Sequence, residues 1–107
     1  MFERFFHSPK NPEEGERLIQ KVVGQELSLG INAPMLWRAF KAAQKENKTR
    51  NLGMTNNQLL NITKDMAIGL SGEIEDSMYG GLEQTIANIN KEIEKLRDEL
   101  TDEERGN

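Results

Sequence analysis

A heptad of large apolar residues near the C-terminus limits what this chain can fold into more than any other feature. After Tyr79, Leu82, Ile86, Ile89, Ile93, Leu96 and Leu100 follow at steps of 4, 3, 4, 3 and 4. A period of about 3.5 keeps such residues on one seam of a helix and suits pairing with another helix. In a parallel dimer, Ile86, Ile93 and Leu100 would occupy position a, and Leu82, Ile89 and Leu96 position d. Glu92 would then face Arg97 of a second copy favourably, while Glu99 would face Glu104 unfavourably. The heptad therefore predicts a homo-oligomer, a dimer first of all, with these six residues as its interface. The competing reading is that the stripe packs inside its own chain, because three heptads suit both uses.

The seam matters because the rest of the chain is polar. Of 107 residues, 36% are hydrophobic and 30% charged, and the mean hydropathy is −0.71. At this size roughly a third of the unfolded chain's surface stays exposed even when packing is good. One small domain with a thin core is expected, and an oligomer interface would bury more.

The pattern upstream is also helical. Asn11 can cap a first helix, with Pro12 at its first position and Glu14 completing a capping-box-like spacing. Leu18, Ile19, Val22, Val23 and Leu27 trace its apolar stripe, and Gly30 suits its end. A second helix is expected near Pro34, with Ala33 as its cap. Leu36, Trp37, Phe40 and Ala43 form its buried face, and it is expected to fray between Lys45 and Asn51. Thr55 and Gln58 form a second capping box ahead of Leu59, Ile62, Met66 and Leu70. Gly69 and Gly72 predict a break there, and Gly80-Gly81 a hinge further on. The fold class is all-α. Three short helices span a domain at residues 11–70. A longer coiled-coil-like helix with a polar tail spans residues 71–107, in a helical bundle that oligomerises.

Residues 1–10 read as an aromatic arm. Phe2, Phe5 and Phe6 stand at i, i+3 and i+4, and Pro9 stops any helix they begin. They are candidate docking residues, for the protein's own core first and for a partner second. The N-terminus lacks the apolar core of a signal peptide, and no apolar run is long enough to span a membrane. The chain has no cysteine, which rules out disulfides and thiolate metal sites and fits a cytoplasmic protein.

No pattern points to catalysis. His7 is the single histidine, and no ligand-spaced residues accompany it. No serine sits in a nucleophile elbow, and no glycine-rich phosphate motif occurs. The acidic cluster Glu73, Glu75 and Asp76 reads as a solvated face near a helix start. A non-enzymatic protein without a cofactor is expected.

The charge distribution is uneven. Residues 1–70 hold 10 basic against 7 acidic side chains, a net +3, while residues 71–107 hold 4 against 11, a net −7. Arg38, Lys41, Lys45 and Lys48 stand at steps of 3, 4 and 3 on one helix face, with Trp37 beside them and Arg50 following. These six are the candidate contacts for a protein partner or an anionic ligand. A stripe of this kind can neutralise phosphates, so nucleic acid or a nucleotide is the alternative partner. A helix-turn-helix around Met66–Ser71 would carry Glu73, Glu75 and Asp76 toward DNA, which electrostatics opposes. The leading expectation is a small cytoplasmic binding protein that acts on a larger protein as adaptor, assembly factor or stoichiometric inhibitor.

Overall fold

The computed structural model describes residues 12–74 and 81–100. They form four α-helices and no strand: α1 (Pro12–Leu27), α2 (Ala33–Thr49), α3 (Asn56–Ile74) and α4 (Gly81–Glu99). The Phe2, Phe5 and Phe6 arm, Asn11, His7, Glu75, Asp76 and the tail from Thr101 lie outside the described residues, as does the Glu73 side chain.

Each helix contributes one apolar face to a shared core. Ile19, Val23 and Leu27 come from α1, and Leu36, Ala39, Phe40 and Ala43 from α2. Leu59, Leu60, Ile62 and Ala67 come from α3, and Ile89, Ile93 and Leu96 from α4, with Leu100 just beyond it. The helix α1 packs on α2 and α3, while α4 packs on α3 and touches α2. Thr63 and Ser71 are the buried polar residues among those described, and the Ser71 hydroxyl has no hydrogen-bond partner. Thr63 is fully buried, and its hydroxyl donates to the Leu59 carbonyl at 2.9 Å, so its own donor is satisfied.

The heptad is divided by this packing. Ile89, Ile93, Leu96 and Leu100 are within the chain's own core, at 8% exposure or less. Leu82 is 37% exposed, and Ile86 is half-buried. A second copy could reach the four core positions only if α4 left α2 and α3.

Three boundary expectations are corrected. Asn32, not Ala33, caps α2: it sits in extended backbone, and its side-chain oxygen accepts from the Met35 N–H at 3.1 Å. Ala33 is the first helical residue. The end of α2 does not fray. It runs to Thr49 and stops in a Schellman arrangement, in which Asn51 adopts a left-handed φ of 57°. The Asn51 N–H reaches the Lys48 carbonyl at 3.3 Å, and the Leu52 N–H reaches the Asn47 carbonyl at 3.0 Å. Asn tolerates the left-handed region better than other side chains, and half-buried Leu52 packs against the core. Finally, α3 runs unbroken through Gly69 and Gly72. A Cβ at either position would meet nothing within 4 Å, so these glycines are neither a break nor a close-packing spot. Flanking Ala67, Ile68 and Leu70 pack on the core and hold the helix through them. This also removes the turn that a helix-turn-helix would need. Among the described residues α4 is no longer than α3, each having 19 residues.

Candidate basic groove at the α2–α3 corner

The corner between α2 and α3 is fixed by reciprocal side-chain bonds. Thr55 Oγ1 accepts from the Gln58 N–H at 3.1 Å, and Gln58 Oε1 accepts from the Thr55 N–H at 2.8 Å. This is the capping box expected from the sequence, and it satisfies two of the donors a helix start leaves open. Asn47, one turn before the end of α2, reaches over the loop. Its Nδ2 donates to the Met54 carbonyl at 3.0 Å, and its Oδ1 accepts from the Met54 N–H at 3.0 Å. Gln44 Nε2 donates to Asn56 Oδ1 at 3.1 Å, tying α2 to the first turn of α3.

A groove of about 600 Å³ opens at this corner, lined by Lys41, Gln44, Lys45, Asn47, Lys48, Asn51, Gly53 and Asn56. Three of the lining residues are lysines, four carry amides, and no carboxylate is among them. Gly53 has a φ of 74°, and a Cβ there would meet nothing within 4 Å. The backbone at this point therefore faces open space.

The predicted basic stripe separates into two groups. Arg38 turns toward α1, with Nε 3.2 Å from Glu26 Oε1, although its N–H is not aimed well enough for a hydrogen bond. Arg50 pairs with Glu46 at 2.7 Å, an i,i+4 contact along α2. Both arginines are thus neutralised locally and stand outside the groove lining. Lys41, Lys45 and Lys48 face the groove together, and among the described residues no carboxylate pairs with them. Lys41 Nζ lies 5.7 Å from the centroid of the Trp37 ring, a cation–π contact that leaves the ammonium charge in place. Trp37 itself is half-buried and packs against the core.

This spacing has an electrostatic cost. Like charges at i,i+3 or i,i+4 on a helix destabilise it by about 0.2–0.5 kcal/mol per pair. Lys41–Lys45 and Lys45–Lys48 are two such pairs. The negative end of the α2 dipole offsets part of this cost for Lys48, which stands in the last turn. An anion in the groove would relieve the remainder.

The lysines stand out in the sequence, whereas the polar residues that line the groove beside them do not. Gln44, Asn47 and Asn51 run beside the stripe at steps of 3 and 4, which is a helical register. That register was the available signal. What it did not carry was the turn at Asn51 that brings Gly53 and Asn56 across to close the groove.

Other chemistry is sparse. Among the described residues no group of three His, Asp or Glu side chains could hold a metal ion, and no helix is long and apolar enough to cross a membrane. No protein-family model, curated protein or solved structure matches the chain.

Proposed function

We propose that this chain is a small non-enzymatic binding protein that docks an acidic segment of a larger protein in the α2–α3 groove. It acts by stoichiometric contact, as an adaptor, assembly factor or inhibitor. The observation that carries the reading is the isolation of Lys41, Lys45 and Lys48. Among the described residues, three cations share one groove without a carboxylate, while the neighbouring arginines are paired. Uncompensated like charge on a preformed surface favours an oppositely charged partner and steers its approach.

A protein segment suits the groove better than a nucleic acid duplex. The groove offers three phosphate contacts, and duplex affinity is built from many. The whole chain carries −4, so a long polyanion meets a molecule of like net charge. Self-association is a separate proposal. With Ile89, Ile93, Leu96 and Leu100 in the core, it is left with Leu82 and Ile86 on the heptad.

The test is a titration with a short glutamate-rich peptide, followed by calorimetry. The wild type binds, and affinity falls as salt is raised. The triple variant Lys41→Glu, Lys45→Glu, Lys48→Glu does not bind, although its melting curve remains cooperative. Equal binding by wild type and triple variant would remove the groove from the account.

A further inference from the structure

We infer that the group this groove selects on its partner is a phosphorylated side chain, a phosphate monoester held jointly by Lys41, Lys45 and Lys48. The inference rests on the acidic-docking reading above and names its chemistry.

The first argument is charge density. Lys41 to Lys48 spans about 10 Å along α2. Each lysine carries its charge on a flexible four-carbon stem, so three ammonium groups on one face can converge above Lys45. A phosphate monoester brings a charge of about −1.5 to −2 and three strong acceptor oxygens to one point. A carboxylate brings −1 and two oxygens. One glutamate therefore offsets a third of the charge of three lysines, whereas one phosphate offsets half to two thirds of it and supplies an oxygen for each ammonium group.

The second argument is which cations remain. Planar guanidinium forks suit carboxylate and phosphate alike, but Arg38 and Arg50 are turned to Glu26 and Glu46. The groove is left with lysines alone, which bind phosphate as point charges. The third argument is preorganisation. The Asn47 clamp on Met54, the Schellman turn and the capping box fix the floor before any ligand arrives. Gly53 presents bare backbone to that floor, with space for an oxygen to approach. A single phosphate is served by three lysines, whereas a nucleic acid strand needs contacts beyond them.

The molecule contains its own reporter. Trp37 is the single tryptophan, and Lys41 Nζ sits over its ring. Drawing Lys41 toward a phosphate changes the emission of Trp37.

The experiment compares four probes by calorimetry and Trp37 fluorescence. They are an acidic peptide with a central phosphoserine, the same peptide with glutamate at that position, inorganic phosphate, and a single-stranded oligonucleotide. The phosphopeptide is expected to bind about tenfold or more tightly than its glutamate twin, a difference of about 1.4 kcal/mol. Lys45→Glu abolishes that preference, and Lys91→Glu on the exposed face of α4 leaves it intact. Equal affinity for the two peptides overturns the phosphate assignment while acidic docking survives. Binding of neither peptide overturns both. Inorganic phosphate binding as tightly as the phosphopeptide assigns the groove to a free anion and refutes docking. An oligonucleotide binding more tightly than the phosphopeptide transfers the groove to nucleic acid.

Discussion

Replacing Asn47 with alanine tests whether the corner is held as described. The substitution removes both bonds to Met54, one accepted and one donated, each 3.0 Å long and partly buried. At about 1 kcal/mol net per hydrogen bond, the loss is about 2 kcal/mol. Alanine is the better helix former, which returns about 0.6 kcal/mol within α2. The net destabilisation is therefore about 1.5 kcal/mol, a substantial part of the roughly 5–15 kcal/mol that holds a small domain together. For a domain of this size that lowers Tm by roughly 6–12 °C. Thermal melts followed by circular dichroism measure it, and amide exchange at Met54 should accelerate in parallel. A Tm within about 2 °C of wild type for the alanine variant, with Met54 still protected, would show that the clamp does not hold the corner.

The α3 continuity is tested by Gly69→Ala, which meets no neighbouring atom and should stabilise the chain by up to about 1 kcal/mol. Destabilisation in a denaturant titration would put the helix break back at this glycine. Ile93→Ala should cost about 2–5 kcal/mol, because Ile93 is 1% exposed in the core. Light scattering at several concentrations accompanies the melt. A variant that lost self-association but not stability would return the seam to an intersubunit role. Lys45→Gln should change stability by less than about 0.5 kcal/mol, as exposed substitutions usually do. The same variant should weaken peptide binding, so a large loss of stability would give Lys45 a structural role instead.

The helical class and most core positions were legible because they depend on local periodicity. Ile19, Val23, Leu27, Leu36, Phe40, Leu59 and Ile62 repeat at helical spacing, and the Thr55–Gln58 box marks a start with its own chemistry. Gly69 and Gly72 misled because propensity is a weak prior, and packing at Ala67, Ile68 and Leu70 outweighs roughly 1 kcal/mol per glycine. The heptad was correctly apolar but silent about its occupant, since a 3.5 period fits α2 and α3 of the same chain as well as another copy. The lysine stripe was legible as a pattern. Which charges are free was not, because Glu26, the counter-ion of Arg38, comes from a different helix and only the tertiary fold brings them together. The same holds for the groove wall. Asn51 and Gly53 owe their importance to positive φ values, 57° and 74°, that turn the chain back across the end of α2.

A partner seated in the α2–α3 groove can be captured there by photocrosslinking in the native host. A photoreactive residue is placed at Lys45, in the groove, and separately at Lys91, on the exposed face of α4. Position 45 should yield one dominant crosslinked protein, at one-to-one stoichiometry. That band should be competed away by an acidic phosphopeptide and be missing from position 91. Crosslinking of equal intensity from both positions, or a band at 45 that the peptide fails to displace, would contradict docking in the groove.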